Sequence, residues 1–255
     1  MAGFRVVIPA RLASTRLPEK VLRLIAGRPL IQYTHEAALK AGADSVVVAT
    51  DHPRVADVCQ AFGADVQMTA VDHQSGTDRI QEVAAARAWA DDEIVVNVQG
   101  DEPLMPPPLI RQAAQLLVDD AGADIATLSH RIDALADWLN PNVVKVVCDH
   151  RGRAHCFSRA PIPWQREGTA SPPPRLPDAG AWRHIGIYAY RVSALNRFST
   201  LAPAPIEQSE SLEQLRALWN GLQIVVGEAQ QAPPHGVDTE ADLQAVIERI
   251  ERAQP

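Results

Sequence analysis

Cysteine is scarce in this sequence, and long apolar runs are absent from it. The 255 residues include three cysteines, at Cys59, Cys148 and Cys156, without a CxxC pair or a cysteine/histidine pattern typical of metal sites. We therefore expect free thiols in a reducing compartment. No stretch approaches the roughly 18 apolar residues needed to span a bilayer, and Met1–Arg5 lead into a strand without a basic leader. These features predict a soluble cytoplasmic protein.

Positive charge is also in short supply. The chain has 24 Lys and Arg against 31 Asp and Glu, a formal net charge of −7, and no basic tract. A nucleic-acid footprint, which needs clustered cations, is therefore not expected. An acidic protein that binds an anion must instead concentrate its few cations in one place. With 46% apolar residues, the chain is long enough for one large α/β domain, alone or with a small lobe.

Apolar runs typical of strands alternate with helical patterns through the first half of the chain. Predicted strands cover 4–9, 45–50, 65–68 and 93–98, and predicted helices cover about 30–41, 53–62, 78–89 and 107–118. Continuous apolar strands separated by helices are typical of a parallel sheet with both faces buried. Ligands bind beyond the carboxyl ends of such strands. The loops that follow these four strands are therefore expected to carry the site.

The pattern changes in the second half, which predicts a mixed part of the sheet. Strands are expected at 124–130, 143–149, 153–158, 185–190 and 223–227, and helices at 209–220 and 239–252. The second and third of these strands are close enough to form a hairpin. The segment 161–181 is rich in Pro, Gly and Ala, so it is interpreted as an excursion from the main domain.

The loop after the first strand concentrates positive charge. Arg11, Arg16 and Lys20 lie within ten residues, together with the hydroxyl of Ser14 and a single acid, Glu19. Backbone amides beyond a buried strand can cradle an anion, and fixed cations and hydroxyls add to that binding. The loop lacks the GxxxxGK[ST] pattern of a Walker loop. A solvated surface loop is the alternative, but the position after the first strand favours a triphosphate site.

Two acids are candidate ligands for a hard cation. Asp101 follows Gly100 directly beyond the fourth strand, and carboxylate oxygens at such a position suit magnesium. Asp238 stands immediately before the last helix, where it or Thr239 could instead be an ordinary helix cap. Whether the two acids meet depends on the fold. A third polar segment, 72–79, opens a helix: Ser75 or Thr77 could cap it, and its glycine allows close approach to a planar base.

Taken together, eight segments resemble the 3-deoxy-manno-octulosonate (Kdo) cytidylyltransferases, also called CMP-Kdo synthetases. They are IPARLASTRLPEK (8–20), ATDH (49–52), DHQSGTDR (72–79), VNVQGDEP (96–103), FSRAPIPW (157–164), RHIGIYAY (183–190), LEQLRALW (212–219) and GVDT (236–239). The resemblance covers nearly the whole chain, and the first, third and fourth segments are together highly specific. The chain departs from the family at Glu19, where Gly is usual, at Gln165, where Asp is common, and in the proline-rich insert 168–177.

The resemblance implies an α/β fold of the nucleotidyltransferase, GT-A-like type: a Rossmann-like, mostly parallel twisted sheet flanked by helices, with a small mixed-sheet excursion. It implies one domain over residues 1–255, with a smaller lobe for sugar binding and dimerisation at about 130–190. The implied reaction transfers CMP from CTP to the anomeric hydroxyl of Kdo, with magnesium as cofactor and pyrophosphate as the second product, in lipopolysaccharide biosynthesis. CTP and Kdo are the expected partners, and a homodimer the expected assembly, without nucleic acid or membrane.

The resemblance also implies roles for individual residues. The nucleotide is assigned to Arg11, Ser14, Lys20, Ser75, Gly76, Arg79 and Gly100. The sugar is assigned to Arg16, Gln99, Arg159, His184, Tyr188, Glu213 and Gln214. Asp101 and Asp238 are assigned to magnesium and, with Lys20, to catalysis. Taken singly, His184, Tyr188 and Glu213 are better explained as structural residues, and their place inside the matched motifs favours the sugar role. Alternative functions are a cytidylyltransferase for 8-amino-Kdo or a nonulosonate, a non-catalytic nucleotide-binding protein, and a glycosyltransferase.

Overall fold

Strands and helices alternate along the chain in the computed structural model, which describes residues 3–14, 16–73, 75–166, 175–233 and 236–253. The strands are β1 (Arg5–Ala10), β2 (Leu24–Ile25), β3 (Arg28–Pro29), β4 (Ser45–Thr50), β5 (Asp65–Met68), β6 (Ile94–Asn97), β7 (Ile125–Arg131), β8 (Lys145–Cys148), β9 (Ala154–Ser158), β10 (Trp182–Arg191) and β11 (Ile224–Glu228). The helices are α1 (Leu30–Lys40), α2 (Pro53–Ala61), α3 (Gly76–Ala86), α4 (Pro107–Asp119), α5 (Leu135–Leu139), α6 (Val192–Phe198), α7 (Pro205–Glu210), α8 (Gln214–Trp219) and α9 (Glu240–Ala253), and a 3-10 turn covers Lys20–Leu22. None of these helices combines the length and hydrophobicity of a membrane span.

Most of the strands form one mixed sheet with a parallel centre. Within the described residues the order is β11-β7-β10-β6-β1-β4-β5, with β8 beside β10 and β9 beside β8. β1 runs parallel to β4 and β6, β4 to β5, and β11 to β7. β10 is antiparallel to both of its neighbours in the central order, and the β8–β9 pair is an antiparallel hairpin. The predicted α/β class, the mostly parallel sheet and the hairpin are confirmed.

Both faces of the sheet are covered. Val6 and Ile8 of β1 pack in a core with residues of α1, α2 and α4, whereas Val7 of the same strand packs in a second core with residues of α3 and α6. Side chains alternate between the faces of a strand. A strand with helices on both sides must therefore be apolar throughout, which is the pattern by which the sequence predicted it.

Several elements differ from their predicted form. The predicted helix 209–220 is wrong as one element: it is split into α7 and α8 around Ser211, whose φ of 50° is left-handed. A left-handed residue cannot continue an α-helix. The short α5 and α6 and the two-stranded β2–β3 pair were not predicted, since they are too short for a periodic signal. In the predicted excursion 161–181, residues 167–174 lie outside the described residues.

Candidate active site

A cavity of about 310 Å³ lies at the carboxyl ends of β1 and β6. Its lining comes from the loop after β1, the loop after β6 and the start of α3: Pro9, Arg11, Ala13, Ser14, Arg16, Lys20, Val21, Gly76, Gln99, Gly100 and Asp101. The loops that the sequence analysis singled out after the first and fourth strands therefore meet. Because β1 and β6 are parallel neighbours, their carboxyl ends necessarily lie at the same edge of the sheet.

Gly100 allows the loop after β6 to lie close to the end of β1 in this cavity. A Cβ atom at this position would lie 2.9 Å from the carbonyl oxygen of Pro9, closer than real Cβ contacts. The loop after β6 can therefore press against the end of β1 only where residue 100 has no side chain. This contact brings Asp101 to the same place as the cations of the loop after β1.

Lys20 joins the two predicted metal ligands. Its Nζ donates to Oδ2 of Asp101 at 2.5 Å and to Oδ1 of Asp238 at 3.0 Å, across 81 and 218 positions of the chain. Arg16 also forms an ion pair with Asp238, at 3.0 Å. Burial lowers the pKa of Lys20, but its bonds and charge interactions with Asp101 and Asp238 outweigh burial, so that the pKa lies above 10.5. The ammonium group is charged and held between two carboxylates.

A magnesium ion fits this pair of carboxylates. Magnesium prefers oxygen ligands and usually binds through one or two carboxylates, substrate phosphates and water. Asp101 and Asp238 converge on one cation, the Lys20 ammonium, beside the cavity. Within the described ranges no group of three or more His, Cys, Asp or Glu residues could form an all-protein metal cage. The donor set therefore suits an ion that reaches the site together with a phosphate ligand.

Glu102 is a further acid of this region that the sequence analysis did not assign. Burial raises its pKa to about 8, and the charges of Asp101 and Asp238 add to that rise, while Arg183 opposes it. The side chain lies against Gly236, where a Cβ atom would approach the Glu102 Cγ to 3.3 Å. The loop after β6 and the segment before α9 are therefore packed together at this acid.

The start of α3 forms one wall of the cavity. Ser75 caps this helix: its Oγ accepts from the backbone N–H of Asp78 at 3.1 Å, and the Asp78 carboxylate accepts from the N–H of Ser75. Arg11, from the loop after β1, donates to the carbonyl oxygen of His73 at 2.6 Å. The capping role considered for Ser75 is confirmed, and Arg11 fastens the preceding loop to the cavity.

Arg79, one turn further along α3, does not line the cavity. Its side chain has no exposed surface, and its guanidinium donates to Asp51 at 2.8 Å and to the hydroxyl of Thr69. The group connects the loops after β4 and β5. Its assigned contact with the nucleotide stays a prediction, and the observed bonds give it a role in holding those loops.

A second, smaller cavity of about 120 Å³ lies beside the first. It is lined by Ile125, Tyr188, Tyr190, Phe198, Glu213 and Gln214. Glu213 accepts a hydrogen bond from the hydroxyl of Thr77 at 2.8 Å through Oε2, whereas its buried Oε1 has no partner among the described residues. A buried carboxylate oxygen without a donor is unusual and is suited to a ligand that brings one.

Three more of the predicted sugar residues have defined partners. Gln99 lines the first cavity and donates to Asn97 at 3.2 Å. Arg159 donates to the carbonyl oxygens of Pro141, Glu210 and Ser211, so its guanidinium holds the junction of α7 and α8. His184 bonds the hydroxyl of Thr127 at 2.9 Å, and its ring contacts those of Phe157 and Tyr188. The observed hydrogen bonds of these three residues are therefore to other parts of the protein.

His184 makes stability depend on pH. Burial lowers its pKa from 6.5 to about 3, and the charge of Arg183 adds to that shift. Below about pH 6.5 the imidazole of His184 therefore binds a proton in the unfolded chain but stays neutral in the folded protein until the pH approaches 3. Stability is complete above about pH 6.5 and falls as the pH drops towards 3. As the pH falls from about 7 to about 5, the shifted pKa of His184 should lower the free energy of unfolding by about 2 kcal/mol.

The variant His184→Gln tests this expectation. Urea unfolding at the two pH values should show a smaller loss of unfolding free energy in the variant than in the wild type, by about 2 kcal/mol. His155→Gln, at an exposed position of β9, is the matched control and should lose as much as the wild type. Equal losses in the wild type and His184→Gln would contradict the assignment of a neutral buried imidazole.

Comparisons with known proteins identify the family of this chain. Residues 5–224 match the family model described as cytidylyltransferase. The 3-deoxy-manno-octulosonate cytidylyltransferase of Cellvibrio japonicus is 56% identical over 254 residues, which cover 99% of this chain and all of that protein. The enzyme of the same name from Pseudomonas fluorescens Pf-5 is 53% identical over 251 residues, covering 98% of this chain and 99% of its own length.

Solved structures give the same result for the fold. A structure of CMP:2-keto-3-deoxy-manno-octonic acid synthetase complexed with CTP matches with a TM-score of 0.89 and 42% identity, over 99% of this chain and 100% of that one. A cytidylyltransferase from Leptospira borgpetersenii matches with a TM-score of 0.60 and 16% identity, over 98% of this chain and 88% of that one. The second match concerns the fold alone.

Proposed function

Because this chain belongs to the cytidylyltransferase family, we propose that it transfers CMP from CTP to the anomeric hydroxyl of Kdo and releases pyrophosphate. The observation that carries the proposal is the meeting of Lys20, Asp101 and Asp238 beside a cavity lined by arginines. Relatives more than half identical over nearly the whole chain bear the name of this activity. CMP-Kdo is a precursor for lipopolysaccharide, which gives the reaction its place in biosynthesis.

The nucleotide belongs in the first cavity. Arg11, Arg16 and Lys20 provide positive charge for the triphosphate, in a protein whose net charge is −7. The capped start of α3 and the small residues Ser14 and Gly76 leave backbone groups open to the phosphates or the ribose. This combination supports CTP as the phosphate-bearing substrate.

Asp101 and Asp238 would hold magnesium. The ion supplies charge neutralisation on the phosphates and lowers the cost of the charge that develops there. The ammonium of Lys20 lies between the two carboxylates, and it would pair with the triphosphate if magnesium were held by Asp101 and Asp238. The chain therefore carries its own counter-charge for the two acids.

The acidic sugar belongs in and around the second cavity. Glu213 offers its unpartnered Oε1 to a hydroxyl, and Gln214 and the phenol of Tyr188 provide further polar groups at the same cavity. Gln99, in the loop after β6, lines the first cavity. Kdo has many hydroxyls and one carboxylate, and the guanidinium of Arg16, which is largely exposed, can pair with that carboxylate.

The reaction needs positioning and charge more than covalent chemistry. The anomeric oxygen attacks the α-phosphorus, the bond to pyrophosphate breaks, and the hydroxyl proton leaves to solvent. Phosphoryl transfer of this kind is catalysed mainly by alignment and by cations at the transferring group. Lys20 and the arginines of the first cavity provide those cations, while Glu213 and Gln214 fix the sugar. No side chain of the described site is assigned as a general base.

Assembly and compartment are part of the proposal. Trp164 and Trp219 are large apolar side chains that remain more than half exposed, which supports an interface between two copies of the chain. Free thiols at Cys148 and Cys156 support a reducing compartment such as the cytoplasm. The lobe at about 130–190 contains the β8–β9 hairpin, which joins β10 of the main sheet and would supply part of that interface.

A comparison of acidic sugars tests the substrate. Purified protein with CTP and magnesium receives Kdo, 8-amino-Kdo or a nonulosonate under identical conditions, and pyrophosphate release is measured. We expect kcat/KM for Kdo to exceed the other values by about tenfold or more, because each buried polar group left without its partner costs the transition state. Faster turnover of another acid would replace Kdo as the substrate. CTP binding without turnover of any acid would indicate a non-catalytic nucleotide-binding protein.

A further inference from the structure

A single hydroxyl connects the two cavities. Thr77 lies in the first turn of α3, next to Gly76, which lines the nucleotide cavity. Its side chain is 4% exposed and donates to Oε2 of Glu213, 136 positions away in the chain, at 2.8 Å. The hydrogen bond therefore links the residue that follows Gly76, in the wall of the first cavity, to Glu213, which lines the second.

The bond fixes which oxygen of Glu213 is free. Oε2 is taken by Thr77, while the buried Oε1 has no donor among the described residues. Without Thr77, the carboxylate could rotate and either oxygen could turn away from the cavity. A buried carboxylate loses orientation and stability when a charge-assisted bond is removed.

Two tyrosines share the second cavity with Glu213. Tyr190 is buried, and its ring stacks on that of Tyr188 with centroids 5.8 Å apart. Tyr188 and Tyr190 both line the second cavity. The carboxylate that Thr77 binds therefore lies at the same cavity as two phenol side chains.

We propose that Thr77 is a positioning residue that orients Glu213 towards the acidic sugar and joins the sugar site to the nucleotide wall at the start of α3. The inference rests on the proposed function, because it concerns the same two cavities. Thr77 itself touches neither substrate in this account. Its effect passes through Glu213, so the consequences of losing the hydroxyl must depend on that carboxylate.

Two variants separate the hydroxyl from the shape of the residue. Thr77→Val keeps the branched side chain and removes the donor, whereas Thr77→Ser keeps the donor. We expect Thr77→Val to raise the KM for Kdo by roughly tenfold or more, the loss typical of a hydrogen bond to a charged group. Its dissociation constant for CTP without sugar, measured by calorimetry, should stay within about twofold of the wild type. Thr77→Ser should restore the KM for Kdo.

A double variant tests whether the effect passes through Glu213. If it does, Thr77→Val combined with Glu213→Gln should be no worse for Kdo than Glu213→Gln alone. An unchanged KM for Kdo in Thr77→Val, additive losses in the double variant, or equal losses of CTP and Kdo binding would each overturn the inference. A wild-type protein without activity on Kdo would contradict the proposed function instead, so the two failures are distinguishable.

Discussion

Replacement of Asp101 by alanine is expected to lower kcat for pyrophosphate release about 1000-fold or more, because the proposed magnesium site would lose a ligand and, with it, several kcal/mol of transition-state stabilisation. The variant removes one of the two carboxylates that converge on Lys20. The side chain of Asp101 is 30% exposed and fills no core position. We therefore expect the fold to survive, as judged by an unchanged circular dichroism spectrum and a cooperative melting transition.

Two further variants make this result specific. Asp101→Asn keeps the shape of the side chain and removes its charge, so it should be nearly as inactive as the alanine variant. Asp57→Asn removes a charge from an exposed position of α2 and should leave kcat unchanged. Normal turnover in Asp101→Ala would contradict the assignment of Asp101 to the metal and to catalysis.

Replacement of Lys20 by methionine, a side chain of similar length without a charge, is expected to lower kcat/KM about 100-fold or more. The reason is that the proposed triphosphate site loses a cation. The variant also leaves Asp101 and Asp238 close together without their shared ammonium group. Their repulsion should lower the stability of the free protein by about 1 kcal/mol, or about 2–4 °C in Tm, a modest value because Asp238 is half exposed.

The response to magnesium distinguishes this account from a general loss of stability. Hydrogen bonds and charge interactions with Asp101 and Asp238 raise the pKa of Lys20 above its ordinary value despite burial, so its ammonium group is charged at neutral pH. At neutral pH, magnesium without nucleotide should therefore raise the Tm of Lys20→Met more than that of the wild type, where the ammonium already fills the position. Lys40→Met, at the exposed end of α1, should respond like the wild type. An identical magnesium response in wild type and Lys20→Met would contradict a shared cation position.

The architecture of the sheet is largely readable from the sequence. β4 and β5 have the predicted bounds; β4 is an apolar run, and both strands lie between turn signals. The rule that ligands bind at the carboxyl ends of parallel strands correctly brought the loops after β1 and β6 together. The strand bounds followed from local sequence patterns, and the position of the two loops followed from a general rule of sheet topology.

The contacts that complete the site could not be read from the sequence. Lys20 and Asp238 are 218 positions apart, and Thr77 and Glu213 are 136 apart, so no local spacing relates them. The resemblance to a family selected Asp238, whereas its position alone was equally suited to a helix cap. The left-handed residue that separates α7 from α8 is Ser211, which carries no glycine signal for a break.

The presence of a residue in a matched motif also did not determine its contacts. Arg159 and Arg79 were both assigned to substrates, and the guanidinium groups of both donate hydrogen bonds to protein atoms. An arginine in a motif can hold a loop as well as a ligand, and only the three-dimensional arrangement distinguishes the two. Thr77 illustrates the reverse case: it was considered only as a possible helix cap, whereas its hydroxyl donates to Glu213 in the second cavity.

Pyrophosphate release from the purified wild-type protein with CTP, magnesium and Kdo, with each component omitted in turn, is the decisive measurement for the proposed reaction. We expect release only when all three are present, together with a new phosphorus signal for a CMP-sugar product. Release that continues without an acidic sugar, or no release with the complete mixture, would contradict the proposed reaction.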